Sequence, residues 1–295
     1  MLPLPADIEA DLPDLIARAL AEDIGAGDVT TEATVGPNVR ATGRFLVKEA
    51  GVVAGLAVAE RVLKAVDPDL ALAWTASDGD AVDAGTTVGT VRGAARSILV
   101  GERLALNVVQ RMSGSATAAR AFADAARPAT VLDTRKTAPG LRLLDKLAVR
   151  LGGASNHRVG LFDRVLVKDN HIEAAGGIRA ALQAVTDRVA AGVPVEIEAR
   201  TLAEVDAVLA AHAAGLRVDT VLLDNLVRWT DAGLDVSALA EAVRRVDGRL
   251  KTEASGNVTL ATVAAIAATG VDYVSSGALT HSVRALDVSL KITLE

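Results

Sequence analysis

From about residue 130 onward, short β-branched runs ending in polar residues alternate with Ala/Leu-rich stretches of helical period. The pattern predicts strands at 130–133, 165–168, 195–198, 220–223, 250–253 and 272–275, with helices near 139–152, 178–191, 202–214, 237–246 and 259–269. Strand–helix alternation at this spacing calls for parallel strands joined by right-handed crossovers. Six apolar strands so connected make an α/β barrel, complete or incomplete.

The first 112 residues follow another pattern. Residues 29–48 read as short strand-like pieces, 51–65 as a helix and 74–92 as a Gly-punctuated β-hairpin. Residues 95–126 read as long helical material interrupted around Ser113 and Gly114, where the domain boundary is placed. Residues 285–294 alternate like a strand that has left the barrel, and are expected to pair with the first domain's sheet. The expected organisation is an N-terminal domain over 1–113, joined by 283–295, and a barrel domain over 114–282.

In the helix near 139–152, Pro139 suits the first turn and Leu141, Leu144, Ala148 and Leu151 share a face. Arg142, Lys146 and Arg150 recur at four-residue spacing on the other face and read as a solvated surface.

Composition narrows the function. Of 295 residues, 51% are apolar, enough for a sizeable core, while aromatics are only 2%, too few for base-stacking platforms. The absence of cysteine removes disulfides, thiolate metal sites and cysteine nucleophiles, and fits a reducing cytoplasm. The N-terminus is acidic and Pro-broken, unlike a signal peptide. The longest uncharged window, 254–271, is too rich in Ser, Thr, Gly and Asn to span a membrane. The expectation is a cytoplasmic protein with neither a membrane nor a nucleic acid as partner. Against a net charge of −6, the stretch 133–171 gathers eight Lys/Arg and two His. Clustered cations in an acidic chain imply a pocket for a polyanionic small molecule.

Functional groups of α/β barrels gather where strands end, and every predicted strand ends in chemistry. The first gives Asp133, Arg135 and Lys136; the second, Lys168, Asp169 and Asn170. Glu198 follows on the third, and Asp224 and Asn225 on the fourth. The fifth gives Glu253, Ser255, Gly256 and Asn257; the sixth, Ser275, Ser276 and Gly277. Arg135, Lys136, His157, Arg158 and Lys168 form a cationic set suited to carboxylate or phosphate. Glu198 and Asp224 are either counterions to it or holders of a magnesium ion that bridges phosphate oxygens. The S-G-N and S-S-G loops follow the last two strands, where barrels often seat a phosphate on backbone N–H groups. His281 follows the second loop and is within reach of a phosphate, whereas His212, in A-A-H-A-A, reads as structural. No histidine pair has zinc spacing and no G-x-S-x-G is present.

At these residues the chain resembles the quinolinate phosphoribosyltransferase family. The motifs are D-T-R-K-T-A-P-G-L-R, G-G-A-S-N-H-R, F-D-R-V-L-V-K-D-N-H, V-E-I-E-A-R, L-L-D-N, E-A-S-G-N and G-V-D-Y-V-S-S-G-A-L-T-H-S, with E-D-I-G-A-G-D-V-T-T and G-E-R-L-A-L-N-V-V-Q-R-M-S-G ahead of them. The resemblance covers nearly the whole chain. It implies an N-terminal α/β sandwich domain plus an open, incomplete α/β barrel. The implied reaction converts quinolinate and phosphoribosyl pyrophosphate to nicotinate mononucleotide, pyrophosphate and CO2, with magnesium. It also implies a homodimer whose active site is shared across the interface, Arg103 being donated to the other subunit. Arg135, His157, Arg158 and Lys168, with Arg103, would hold the quinolinate carboxylates, and Lys136 would balance the departing pyrophosphate. Lys136, Lys168, Glu198 and Asp224 would be catalytic, the two acids also meeting the magnesium through the substrate. Ser255, Gly256, Asn257, Ser276, Gly277 and His281 would seat the 5-phosphate. The stretch V-R-W-T-D-A-G-L-D after Asn225 matches no family motif.

Three other readings compete. A related phosphoribosyltransferase would act on another acid such as nicotinate, or the chain would be a molybdenum-system homologue sharing the fold. A non-catalytic anion-binding protein is a second reading, from a different class. A Schiff-base aldolase would use Lys168 but leave the other cations unexplained. A biotinyl or lipoyl carrier is excluded, because no lysine lies at the hairpin tip between Asp78 and Arg92.

Overall fold

The computed structural model describes residues 4–231 and 233–295; residues 1–3 of the Pro-broken N-terminus, and Ala232 of the unmatched stretch, lie outside the described residues. The chain forms two compact units. One comprises Met1–Arg120, Thr137–Gly153 and Leu279–Glu295, the other Ala121–Lys136 and Ala154–Ala278.

In the first unit, α1 (Ala6–Ile24) buries Ile8, Leu12 and Ile16 at four-residue spacing. Residues expected to be strand-like form instead a short helix, α2 (Val29–Thr34). The Asp28 carboxylate accepts the N–H groups of Thr30 and Thr31 at 3.1 and 2.9 Å, a cap that overrides the β-branched composition. The alternating strand β1 (Arg40–Val47) buries Ala41, Phe45 and Val47. Next come β2 (Gly51–Val52) and α3 (Leu56–Val66), so the helix expected from 51 begins later. Its start is set by Asp78, which accepts the N–H groups of Leu56 and Ala57 at 2.8 and 3.3 Å. The Gly-punctuated region forms β3 (Ala71–Trp74), β4 (Ala81–Val82) and β5 (Thr87–Ala94); β3 pairs with β5, while β4 pairs with β2.

The next helix, α4 (Ala95–Ala125), runs unbroken through Ser113 and Gly114, where an interruption was expected. Both residues serve packing. The Ser113 hydroxyl accepts the Ala54 N–H at 2.9 Å and donates to the Ala54 carbonyl at 3.2 Å. A Cβ on Gly114 would lie 2.3 Å from the Arg284 carbonyl, so glycine lets a later segment cross the helix backbone closely.

The barrel begins with β6 (Thr130–Leu132). The helix α5 (Arg142–Leu151) then adds Leu144, Leu147 and Ala148 to the core of the first unit. Lys146, expected on a solvated face, is only 2% exposed. Asp145, equally buried, accepts both Nε and Nη2 of Arg111 at 2.9 Å and the Ala138 N–H at 3.2 Å.

The second unit continues through β7 (Val165–Val167), α6 (Asp169–Ala175), α7 (Ile178–Arg188), β8 (Val195–Ala199), α8 (Leu202–Ala213) and β9 (Thr220–Asp224). A small exposed hairpin follows, β10 (Arg228–Thr230) with β11 (Gly233–Asp235), built from the unmatched stretch. The series ends with α9 (Ser237–Val246), β12 (Lys251–Ser255), α10 (Val263–Ala267) and β13 (Tyr273–Ser275). The last elements are α11 (Ala278–His281), a single helical turn, and β14 (Val288–Leu294), which belongs to the first unit.

Two sheets organise the units. In the first, β14, β1, β5 and β3 lie in that order, with Phe45 opposite Leu290 and Val47 opposite Val288. In the second, six parallel strands run β6-β13-β12-β9-β8-β7. The first and second barrel strands, β6 and β7, are therefore the two edges of an open barrel. Beside β6, Leu132 bridges to Ser155. None of the described helices is long and apolar enough to cross a membrane.

Candidate active site

Asp133, just past β6, is fully buried and acts as scaffold. Its carboxylate accepts the His157 N–H at 2.9 Å and the Asn156 side-chain amide at 2.6 Å, fixing the N-H-R turn. The His157 ring is then held at both nitrogens. Nδ1 accepts the Arg158 N–H at 2.7 Å, so it carries no proton, and Nε2 lies 2.9 Å from Glu196 Oε2. His157 is thereby the neutral tautomer with its proton on Nε2, not the cation that its place in the basic block suggested.

Arg135 and Arg158 stand beside this ring. Burial, and after it the charge of Arg135, pulls the Arg158 guanidinium below its ordinary value, as two close cations require. The Arg135 Nε–H is buried and finds no acceptor among the described residues. Both arginines line a cavity of about 160 Å³ in the second unit with Thr134, Lys136, His157 and Lys168. Leu166 and Leu222 supply apolar wall, and Glu253, Ser255 and Ser275 complete it. The Lys168 backbone N–H donates to His171 Nδ1 at 3.0 Å, which gives His171 a positioning task.

Acids gather on the neighbouring strand ends. The Glu198 carboxyl is raised by burial and then by the charges of Asp224 and Asp169, while Lys168 and Arg200 oppose the shift. Carboxylates that raise one another fit a shared cation.

The two small-residue loops differ. Gly256 has φ +88°, and a Cβ there would lie 2.2 Å from Asn225 Oδ1. The N–H groups of Gly256 and Asn257 carry no acceptor among the described residues. The Ser276 N–H, by contrast, already donates to the Leu132 carbonyl at 3.1 Å. Its hydroxyl donates to the Val258 carbonyl at 3.2 Å and accepts the Ala278 N–H at 3.3 Å, with Gly277 following. Arg103 is exposed on α4, and His281 Nδ1 lies 2.6 Å from the Ser282 hydroxyl. Both belong to the first unit and neither lines the cavity.

Of two buried acids here, Glu196 escaped the sequence reading of the site, while Glu253 was seen at a strand end but given no role. With His157 they bring a ligand atom each within 4.8 Å of one another. A metal on Nε2 would force the ring proton to Nδ1, against the Arg158 N–H, so the trio is better described as a hydrogen-bonded network. Alternation in the fully buried V-E-I-E strand was the signal for Glu196, because it puts residues 196 and 198 on one face.

Cations and carboxylates side by side at one barrel mouth are what a transfer between two anions requires, and they define the chain as an α/β-barrel transferase. Its residues 28–113 and 115–291 match the models of the N-terminal and C-terminal domains of quinolinate phosphoribosyl transferase. It is 52% identical to quinolinate phosphoribosyltransferase [decarboxylating] 1b of Nicotiana tabacum, across 99% of this chain and 85% of that one. Identity to the chloroplastic nicotinate-nucleotide pyrophosphorylase [carboxylating] of Oryza sativa subsp. japonica is 53%, across 99% and 80%. The crystal structure of NadC from Streptococcus pyogenes superposes with a TM-score of 0.90 at 36% identity, covering 100% of this chain and 99% of that one. The chain belongs to the quinolinate phosphoribosyltransferase family.

Proposed function

We propose that the chain transfers the phosphoribosyl group of phosphoribosyl pyrophosphate to quinolinate and releases CO2, giving nicotinate mononucleotide in NAD biosynthesis. The carrying observation is the buried, acceptorless Arg135 Nε–H beside Arg158 in a cavity whose wall includes Leu166 and Leu222. A cavity with leucine wall and two guanidinium forks suits a flat ring bearing two carboxylates. Lys168 adds a point charge at the cavity, and His157 contributes shape and turn geometry rather than charge.

In this reading the ring nitrogen attacks the anomeric carbon as the bond to pyrophosphate breaks. Glu198 and Asp224 oppose the positive charge that develops on the ribose, and Lys136 balances the leaving pyrophosphate. Magnesium, held by Glu198 and Asp224 through the pyrophosphate donor, would neutralise phosphate charge. Gly256 and Asn257 offer N–H groups to the 5-phosphate, with Ser255 beside them; Ser276, Gly277 and His281 complete that seat in the family pattern. Fixed position and fixed charge do most of the catalysis. Ribosylation makes the ring nitrogen cationic, and that cation stabilises the electron pair left when the adjacent carboxylate departs.

The reading includes a homodimer in which Arg103 of the partner subunit reaches this cavity; its support is that Arg103 is exposed and lines no part of the cavity itself. A cytoplasmic place of action rests on the cysteine-free composition. The test supplies phosphoribosyl pyrophosphate and magnesium with either quinolinate or nicotinate, and measures pyrophosphate and CO2. Both products are expected with quinolinate; pyrophosphate with nicotinate alone would overturn the assignment.

A further inference from the structure

Loss of the carboxylate leaves an electron pair on a ring carbon, and that carbon must receive a proton. The cavity lining offers few groups that can give one. Arg135 and Arg158 do not deprotonate in proteins. Lys136 and Lys168 are exposed, and their charges are needed against the anions. The His157 Nε2–H faces Glu196 at 2.9 Å, and losing it would create an imidazolate beside a carboxylate.

Glu253 is different. It is 2% exposed, and its Oε2 has no hydrogen-bond partner among the described residues. That oxygen lies 3.5 Å from His157 Nε2, while Arg164, at 3.3 Å, pairs with Glu196. Two buried carboxylates thus face a neutral imidazole and a single guanidinium, Arg164, whose ion pair at 3.3 Å is with Glu196, which favours one proton remaining on the pair. Strand register sets the level of this acid. Glu253 is opposite Leu222, and Leu222 is opposite Glu198, so Glu253 lies in the same layer as the acid assigned to the ribose. Two residues on, Ser255 lines the cavity with it.

We propose that Glu253 is the catalytic acid that protonates the ring carbon vacated by CO2, with Glu196 and His157 as positioning residues; this rests on the reaction proposed above. The carbon–carbon bond breaks and leaves its electron pair on the ring carbon. The O–H bond of Glu253 breaks, its proton joins that pair, and a carboxylate remains beside the His157 Nε2–H. Water that enters once the product leaves restores the proton. Burial, then the charge of Glu196, pushes the Glu253 carboxyl well above the ordinary carboxylate range, in keeping with this role. Burial would also raise Glu196, but the hydrogen bond from His157 and the charge of Arg164 outweigh it and leave that group below its ordinary value.

The test separates the two steps in a single turnover. Wild-type and Glu253→Gln enzymes are mixed with quinolinate, phosphoribosyl pyrophosphate and magnesium, and pyrophosphate and nicotinate mononucleotide are followed separately. Pyrophosphate release is expected to stay within about threefold, while mononucleotide formation falls about 100-fold, the scale of a lost general acid. Equal losses in both steps, or none in either, overturn the proposal. A second measurement needs no variant. Wild-type enzyme equilibrated in D2O is mixed with substrates in H2O, and the product is examined for deuterium at the vacated carbon. Retained label is expected from a carboxyl shielded by bound substrate; product without label points to water or an exposed lysine and overturns the assignment. Failure of the underlying reaction would appear differently, as no pyrophosphate release by the wild type with quinolinate.

Discussion

Arg111 grips Asp145 with two parallel bonds of 2.9 Å, and Asp145, 1% exposed, also accepts the Ala138 N–H. The pair ties the segment just after Arg135 and Lys136 to helix α4. Removing the cation leaves a buried carboxylate uncompensated. Arg111→Ala is therefore expected to lower stability by about 2–4 kcal/mol, partial exposure of the arginine easing the loss. Urea unfolding checks it; a midpoint unchanged from wild type would contradict the assigned role.

The guanidinium pair makes a specificity prediction. Arg158→Lys keeps a charge but loses the planar fork, and should raise KM for quinolinate about tenfold. Arg135→Ala should cost about 100-fold in kcat/KM, the worth of charge-assisted bonds near 1.5–3 kcal/mol. Steady-state kinetics with quinolinate varied decide the matter. A change confined to the KM for phosphoribosyl pyrophosphate would move both arginines to the other substrate.

Gly256→Ala should harm the site through its neighbour. The added methyl meets Asn225, whose amide donates to Asp224 Oδ2 at 2.6 Å, and the backbone conformation is itself strained for alanine. A cost of about 1–3 kcal/mol is expected, with a higher KM for phosphoribosyl pyrophosphate. Thermal unfolding and kinetics together test this, and wild-type behaviour in both would argue against a shaped phosphate seat.

Subunit sharing is checked by mixing two inactive chains, Arg103→Ala and Lys168→Ala. Heterodimers with one intact site should recover about a quarter of wild-type activity per chain mixture, since half the dimers are mixed and half their sites are whole. Mixing proven by mass spectrometry without recovered activity would remove Arg103 from the partner's site.

Stability should depend on pH through Glu253. Its carboxyl is raised in the folded state, so the native protein binds the proton that the unfolded chain releases. This contribution is complete below the unfolded value near 4.5 and is lost as pH rises through the raised folded value. The expected slope is a fall of up to about 1.4 kcal/mol per pH unit within that window. Glu253→Gln should flatten it, as read from urea unfolding at several pH values.

The barrel was legible because its strands are short, apolar and end in chemistry: 165–168, 195–198 and 220–223 lie within a residue or so of the observed strands. Arg135, Arg158 and Lys168 were legible as a pocket for the same reason. What escaped was set by distant contacts. Ser113 and Gly114 look like helix breakers until Ala54 and Arg284 are seen against them. Lys146 looks solvated by four-residue spacing, yet α5 is buried on more than one face. His157 reads as a cation among cations, and only the Arg158 N–H on its Nδ1 shows it neutral. Glu196 sits in a strand buried at every position, where an acid carries no outward mark of its partners.

The pairing of β1 with β14 has a consequence for how the protein is made. Val47 emerges from a ribosome roughly 240 residues before its partner Val288. Until β14 is made the first sheet therefore has a bare strand, β1, an unsatisfied row of N–H and C=O groups open to wrong partners. The N-terminal unit cannot mature ahead of the barrel, as domains made first usually do. Its completion waits for β14, made after the whole barrel, which makes that strand, far from any chemistry, the step on which the yield of folded enzyme turns.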